Sequence, residues 1–502
     1  MHTIPNRRRP GAGDLVAIPH DCATVETHIS VLYFVGDIVY KIKKAVDLGF
    51  ADFRSLGARH SACERELQLN RRLSPDVYLR VAEIMLPTGE TEPAVVMRRL
   101  PSDRSLSALL ERDEPSVVGD VRAIARIIAA FHARCTVHTE STAPGSFEAA
   151  RLRWRRECEQ LGVSARRLVD ASNLQEIARR GTEFLEGRRR LIDDRLARGM
   201  VRDGHGDLQA ADIFVLDDGP RIIDCLEFDS RLRIGDVLLD VAFLAMDLER
   251  LGAKDASAAF IAAYQEFSAE SHPPPLLDFF VAYRALVRAK VAAIRWQQGE
   301  LSKAGEIRGF VEICLAHLRK TTVHLVVVGG LPGSGKSTVA RELSRILEAH
   351  YLSSDDVRDE IRDGRAVHPN PVAWGTGSYT AEAVGQVYAE LLRRAELVVT
   401  EGFSVVVDAS WSRRVDRDAV RRLAANQHAV LTELRCDVED SVAQTRLVAR
   451  TGGSSDADER IRRRMTASFE PWPEATPIDN GGVPTLAIVR ATRAVTKQVE
   501  RR

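Results

Sequence analysis

Glycines, a lysine and a hydroxyl residue recur at fixed spacing in Gly330-Leu331-Pro332-Gly333-Ser334-Gly335-Lys336-Ser337, with Thr338 next in line. This is the pattern GxxxxGK[ST], and its chemistry is the holding of a polyphosphate. A nucleotide triphosphate brings several negative oxygens into one place, and successive backbone N–H groups with a helix N-terminus surround them without side-chain bulk. Gly330, Gly333 and Gly335 permit that backbone path, with Ser334 between the last two. Lys336 supplies a point charge toward the outer phosphates, and Ser337 offers its hydroxyl to Mg²⁺, with Thr338 completing the cradle. An apolar run at 325–328 precedes the motif, and Val339, Leu343, Ile346 and Leu347 follow at helical spacing. Strand, loop and helix in that order are what the chemistry needs.

Carboxylates and arginines downstream complete this first constellation. In an open α/β sheet, ligand groups sit at the carboxyl ends of strands. Asp355, in Ser354-Asp355-Asp356-Val357-Arg358, is placed to act as general base toward an acceptor hydroxyl, and Arg358 to hold that acceptor. Asp408, closing the apolar run 405–407, suits a carboxylate acting on Mg²⁺. Arg446 and Arg450 lie four apart on one helix face and could close over the phosphates.

A second constellation stands upstream: His205-Gly206-Asp207-Leu208, then Ile222-Ile223-Asp224, then Gly235-Asp236 and Asp240. One aspartate beside a hydroxyl nucleophile and another after a strand to hold Mg²⁺ are the parts of kinase-type transfer. An alcohol is protonated at neutral pH, so a carboxylate in hydrogen-bond reach must take its proton as the new bond forms. Asp207 fits that task and Asp224 the metal. His205 titrates near neutrality and offers an alternative base.

The elements that must position these residues follow from periodicity. Residues 31–40 are β-branched and aromatic and break at Gly36-Asp37, which reads as a hairpin. A helix is expected at about 56–73 and a strand at 94–100. From 105 to about 199 the pattern is helical, with Val121, Ile124, Ile128 and Phe131 on one face. Residues 201–227 return to strands and loops, with a turn at Asp217-Asp218-Gly219-Pro220, and helices run from about 239 to 317, broken by Pro273-Pro274-Pro275. The tail after Pro473 is expected to end in a short strand and a helix. Two arginine-rich stretches, Arg188-Arg189-Arg190 and Arg413, Arg414, Arg417, Arg421 and Arg422, read as solvated helix faces.

Composition bounds the rest. A chain of 502 residues exceeds one core. It is 45% hydrophobic and 28% charged, with 71 basic and 71 acidic residues. A balanced charge argues against a long nucleic acid as the main partner. The seven cysteines are scattered with no CxxC pair, which points to reduced thiols in the cytoplasm. No signal-peptide stretch or run of eighteen apolar residues occurs, so neither secretion nor a membrane partner is expected.

Two family resemblances extend these readings. The stretch of about 323–470 resembles the AAA_33-like or zeta-toxin-like P-loop kinases, through residues 330–337, Ser354-Asp355-x-x-Arg358, Val407-Asp408-Ala409 and the Arg446/Arg450 pair. The resemblance implies ATP-dependent phosphorylation of a hydroxyl. The stretch of about 23–318 resembles the aminoglycoside phosphotransferase and choline-kinase superfamily, within the protein-kinase-like fold. That resemblance implies a nucleotide-binding lysine in Tyr40-Lys41-Ile42-Lys43-Lys44, with Lys41 the first choice and Lys43 the second. It makes Glu66 the lysine's helix partner and Asp212 the second metal ligand, where the family carries Asn. It assigns His205, Asp236 and Asp240 to holding the loop around Asp207. Thr27-His28-Ile29-Ser30 replaces the usual Gly-rich loop.

The expected fold is therefore a bilobal protein-kinase-like domain at 1–318, with lobes at about 20–100 and 101–318. A P-loop NTPase domain of three α/β/α layers on a parallel sheet follows at 323–495. The expected activity is phosphotransfer from ATP, with Mg²⁺, to hydroxyls of small molecules. The classes implied are an amino sugar, aminoglycoside or choline-like alcohol for the first half, and a sugar, sugar acid or nucleotide-like alcohol for the second. Two alternatives stand beside it: a nucleotide-sensing pseudokinase in the first half, and a polynucleotide-end or toxin-like kinase in the second.

Overall fold

Alternating β-branched and aromatic residues build an antiparallel hairpin from Ser30–Val35 and Ile38–Lys43, with Val35 opposite Ile38. Gly36 takes φ +59° at the first position of the two-residue turn, a conformation glycine accepts without strain. The computed structural model describes residues 15–27, 29–47, 52–140, 143–362, 381–449 and 459–500. The chain gathers into two compact units. The first comprises Met1–Ala150, Arg195–Ser271 and Tyr283–Ile313; the second comprises Arg151–Asp194, His272–Ala282 and Cys314–Arg502.

In the first unit the hairpin belongs to a six-stranded sheet, ordered Val16–Ala17, Tyr78–Met85, Thr91–Arg98, Ile38–Lys43, Ser30–Val35 and Ala23–Glu26. Two cores lie on its faces. Tyr40 and Ile42 pack with Ile84, Ala94 and Val96 on one. Val39 packs with Val95, Met97 and Cys63 of the helix Leu56–Asn70 on the other. The two-residue period of a strand thus places Lys41 and Lys43 on the helix side with Val39. Ser55 caps that helix by accepting the Ala58 N–H at 3.2 Å. The rest of the unit is helical around two small hairpins, Val201–Asp203 with Ile234–Asp236 and Ile213–Leu216 with Gly219–Ile222. The apolar stripe Val121, Ile124, Ile128 and Phe131 is buried on the helix Val117–Arg134. The long helical stretch after residue 238 divides into Leu238–Arg250, Lys254–Ser268, Pro274–Gln297 and Lys303–Lys320. Proline starts the third of these, where its missing N–H costs nothing.

In the second unit five strands run parallel in the order His350–Ser353, Val405–Asp408, His324–Gly329, Val430–Asp437 and Thr476–Asp479. Both faces are apolar. Leu325, Val327, Val405 and Val407 face Leu391 and Trp411, whereas Val326, Val328 and Val406 face Leu343 and Ala491. A parallel sheet buried on both faces reads as a continuous Val/Leu run, as 325–328 does. The tail forms the strand Thr476–Asp479 and the helix Pro484–Glu500.

Two arginines expected on solvated faces are buried instead. Arg188 follows the helix Ala171–Gly187, and its Nη1 donates to Gly187 O and to Gln427 O at 2.8 Å, where the helix Arg414–Asn426 ends. Two helix C-termini, each with partial negative charge, answer one guanidinium whose pKa burial pulls down to about 9. Arg417 donates to Trp411 O at 2.7 Å and Pro471 O at 2.8 Å and lies 5.3 Å from the Trp472 ring. Charge runs mark solvent only when no carbonyls converge on them. Among the described residues no helix is long and apolar enough to cross a membrane, and all seven cysteines are free.

Two helical glycines separate packing from propensity. A Cβ at Gly181 would overlap the buried Trp154 ring, whereas one at Gly162 meets nothing within 4 Å. Gly181→Ala should lower stability by about 1–3 kcal/mol in thermal or denaturant unfolding. Gly162→Ala should be neutral or stabilising by up to about 1 kcal/mol.

Candidate active sites

The first unit assembles its site around one buried carboxylate. Glu66, fully buried on the helix Leu56–Asn70, is 2.8 Å from Lys41 Nζ and 2.7 Å from Lys43 Nζ. Lys41 also donates to Asp224, and Lys43 to Glu227. Burial alone would lower both lysine pKa values. The surrounding carboxylates, Asp224 and Glu66 for Lys41 and Glu66 and Glu227 for Lys43, outweigh it and raise both. The two lysines divide by depth. Lys43 has no exposed side chain, whereas Lys41 retains some exposure and reaches the aspartate expected to meet a metal. Glu227 was not anticipated from sequence, because its partner lies 184 positions away.

Asp224 sits at φ +65°, uncommon for a residue with a side chain, and its N–H donates to Tyr78 Oη at 3.1 Å. Asp207 accepts from Gln209 Nε2 at 3.0 Å. Burial raises the Asp207 pKa to about 6; Arg288 and Arg284 pull it down while Asp224 pushes it up. Asp212 ends the short turn Ala210–Asp212, and its carbonyl accepts the Ile223 N–H at 3.0 Å, tying it to the Asp224 segment. Burial, then Asp224 and Asp207, raise the Asp212 carboxyl well above its ordinary range. Burial would raise Asp224 too, but Lys41 holds it low. The three aspartates thus repel one another in a half-buried setting, which a divalent cation would relieve. Oxygen donors of this kind fit Mg²⁺. No three His, Cys, Asp or Glu side chains among the described residues converge as a closed cage. Magnesium needs none when one or two carboxylates share it with phosphates and water.

His205 and Asp240 hold the loop. Asp240 accepts the N–H of His205 at 2.6 Å and of Gly206 at 2.8 Å. Its Oδ2 is also 3.1 Å from His132 Nε2. His205 Nε2 lies 3.1 Å from Ile223 O, and Nδ1 accepts the Asp207 N–H at 3.3 Å. That pattern requires the neutral ring protonated on Nε2, and burial lowers its pKa accordingly. Neither ring nitrogen remains to act as a base. Asp236 does not touch the loop: it pairs with Arg195 and accepts the Leu238 N–H at 2.9 Å. Its part is to anchor the helix Leu238–Arg250 that carries Asp240. His28 lies outside the described residues, so the segment replacing a Gly-rich loop is described only in part.

The second unit builds its site from backbone. The strand His324–Gly329 ends at the loop, and the helix Lys336–Ile346 starts with Lys336, Ser337 and Thr338 in its first turn. Gly330 has φ +138°, and a Cβ there would lie 2.6 Å from Cys436 O. Gly335 caps the helix at φ +79°, and a Cβ there would meet Asn480 and lie 3.2 Å from Arg446 Nη1. Gly333 also takes φ +79°. Ser334 is buried, and its carbonyl accepts from Asn480 Nδ2 at 2.9 Å. Arg446 Nη2 donates to Asn480 O at 2.8 Å, which puts its guanidinium against the loop. Arg450 lies outside the described residues.

Register brings the carboxylates to the same sheet edge. Asp408 pairs with Val328 on one side and Ser353 on the other, so Asp408, the P-loop and Asp355 all follow the strands' carboxyl ends. Asp408 Oδ2 accepts from Tyr351 Oη at 2.8 Å, while buried Oδ1 has no protein partner. An oxygen left so, with the Ser337 hydroxyl, fits a hard cation. Asp355 accepts from Arg358 Nη1 at 2.5 Å, so the expected base and the expected acceptor-holding residue bind each other here. Arg462 was not anticipated. Its Nη1 donates to Pro332 O at 2.6 Å, and it lines a cleft of about 220 Å³ with Gly330, Leu331, Ser334 and Asp437. The placement of Asn480 just after the last strand was the signal available in sequence.

The two lysines can be separated by experiment. In a Lys336→Ala background, Lys41→Met should abolish nucleotide binding by the first unit while the protein stays folded. Lys43→Met should chiefly lower the melting temperature, because it strands Glu227 beside a half-satisfied Glu66, at a cost of about 3–5 kcal/mol. Fluorescent-nucleotide titration with thermal melting reads both. Loss of binding without loss of stability in Lys43→Met would reverse the assignment.

Two family models match successive stretches of the chain. The model of the phosphotransferase enzyme family (APH) matches residues 50–279, and that of the AAA domain (AAA_33) matches residues 325–472. The uncharacterized protein Rv2004c of Mycobacterium tuberculosis is 40% identical over 458 residues, covering 91% of this chain and 92% of its own. The protein Mb2027c of Mycobacterium bovis matches with the same figures. Among solved structures, a choline/ethanolamine kinase family protein from Mesorhizobium loti aligns with 62% of this chain and 94% of its own, at 14% identity and TM-score 0.38. A gluconokinase from Sinorhizobium meliloti aligns with 36% of this chain and 95% of its own, at 17% identity and TM-score 0.27. The chain belongs to the family it shares with the mycobacterial proteins, and it joins an APH-type phosphotransferase module to an AAA_33 P-loop kinase module.

Proposed function

We propose that each module is an ATP- and Mg²⁺-dependent kinase for a hydroxyl group of a small molecule, the first within 1–318 and the second within 323–495. The supporting observation is that each compact unit, taken alone, sets aspartates at strand ends beside a phosphate-directed lysine. In the first unit Lys41, fixed by Glu66, binds the nucleotide phosphates, and Asp207 orients the acceptor hydroxyl and takes its proton. Asp224 and Asp212 hold the metal there; Ser337 and Asp408 hold it in the second unit. Bound Mg²⁺ supplies neutralisation of phosphate charge. In the second unit the backbone from Gly330 to Thr338 and Lys336 grip the phosphates, with Arg446 over them. Asp355 serves as proton acceptor and releases Arg358 to the substrate.

The amino sugars, aminoglycosides and choline-like alcohols of one resemblance, and the sugars, sugar acids and nucleotide-like alcohols of the other, define the acceptor screen, with neutral and anionic counterparts of each. ATP consumption against that panel should depend on Asp207 for one acceptor set and on Lys336 for the other. Asp207→Asn should cost about 10²–10⁴-fold in its set. Equal turnover by Asp207→Asn and the native chain on every acceptor would remove the first activity.

A second reading, nucleotide binding without turnover in the first unit, draws on Asp212, whose carboxyl repels Asp224 and Asp207. Under the catalytic reading Asp212→Asn lowers the Mg²⁺ concentration needed for half-maximal rate. Under the sensing reading no acceptor is consumed by either form.

The Asp207 pKa sets a pH limit. The carboxylate, not the acid, accepts a proton, and burial places the titration at about 6 in the free protein. The first unit's kcat/KM should therefore be flat above that pH and fall about tenfold per unit below it. An acid limb remaining near 4 would contradict an Asp207 base of raised pKa.

A further inference from the structure

The helix Pro274–Gln297 carries Arg284 and Arg288 four residues apart, hence on one face. Arg284 is anchored: its Nε donates to Leu239 O at 3.0 Å, its guanidinium lies 4.8 Å from the Phe243 ring, and Nη2 is 3.9 Å from Asp240 Oδ1. Asp240 is the residue that accepts the His205 and Gly206 amides, so this helix face backs directly onto the Asp207 loop. Arg288 stands one turn farther on, 5.9 Å from the Phe310 ring, and Arg250 lies at the same distance from that ring. Arg250 is neutralised by Asp247 at 2.7 Å, and Asp247 also accepts the Ala210 N–H at 2.9 Å. Arg288 has no hydrogen-bond or ion-pair partner among the described residues, and it is only partly buried.

Arg288 is chemically out of place for a cationic acceptor. Its charge reaches the Asp207 carboxyl and favours the ionised form. A guanidinium left without a protein carboxylate one turn beyond Arg284 is available to the bound acceptor. The acceptor must approach Asp207, so a group it carries toward this helix face meets the partly exposed Arg288 guanidinium. An amine or quaternary ammonium would be repelled there. A carboxylate or phosphate would find a planar donor fork suited to either.

We infer that the alcohol phosphorylated by the first unit is itself an anion, a hydroxy acid or a phosphorylated sugar or polyol, whose negative group pairs with Arg288. The inference rests on the reading of Asp207 as the proton acceptor. It assigns Arg288 to substrate binding and sets the charge class of the acceptor opposite to that of aminoglycosides and choline.

The test uses the full chain with Lys336→Ala, so that transfer reports the first unit, and acceptors matched except for charge. Suitable sets are glucose, glucosamine, gluconate and glucose phosphate, and glycerol, choline, glycerate and glycerol phosphate. The anionic members should be used with kcat/KM at least about tenfold above their neutral and cationic counterparts. Arg288→Gln should remove that advantage through KM, leaving the KM for ATP within about twofold, and Arg288→Glu should turn preference toward amines. Carboxylate and phosphate arms separate the two sources of charge. Preference for amines by the native residue, or equal loss for all acceptors and for ATP hydrolysis in Arg288→Gln, overturns the inference. So does a folded protein that binds Mg–ATP through Asp224 yet phosphorylates no anionic member of the panel. Failure of nucleotide binding itself would instead remove the underlying kinase reading.

Discussion

Two ammonium groups closed onto one buried carboxylate constrain the first unit more than any other contact. Glu66 can face both lysines only because the strand period places Lys41 and Lys43 on the same side, next to the helix Leu56–Asn70. Buried charge is tolerated when partners answer it, and here each lysine has a second carboxylate, Asp224 or Glu227, from a distant segment. The arrangement therefore fixes the sheet, the helix and the 224–227 segment against one another. It also holds Asp224, in its left-handed conformation, where the proposed function would put a nucleotide-bound metal. Asp207 and Asp212 then sit in a field shaped by that choice, one with its pKa lifted to about 6 and the other raised well above its ordinary range.

On the proposed reading, the second unit meets the same electrostatic demand with backbone instead of buried lysines. Its parallel sheet brings the loop, Asp408 and Asp355 to one edge by register alone. The glycines leave room for Cys436 O, Asn480 and Arg446 to press against the loop. One solution relies on long-range ion pairs, the other on local chain path. That difference explains why the second was far easier to read from sequence. Residues 330–338 declare their own geometry, whereas Lys43 and Glu227 are partners separated by 184 positions.

The same physics decides what else was legible. Periods of two and of 3.6 disclosed the hairpin at 30–43, the buried stripe of 117–134 and the strands of the P-loop sheet, because burial repeats locally. The place of Asp408 at a strand's carboxyl end was legible because the apolar run 405–407 leads to it. Arg188 and Arg417 were read as solvated because each sits in a charged run, yet carbonyls at helix ends and loops gather around each of them. Asp236 was expected at the loop and binds Arg195 instead. Arg462 carries no local signal at all; only the folded chain shows it donating to Pro332 O.

The account stands on two separate cradles for triphosphate anions within one chain, and nucleotide stoichiometry tests this most directly. Equilibrium dialysis with a non-hydrolysable ATP analogue and Mg²⁺ should give about two bound per native chain. It should give about one for Lys336→Ala, about one for Asp224→Asn and none for the double variant. A native chain that binds one nucleotide, or an Asp224→Asn chain that still binds two, would contradict it.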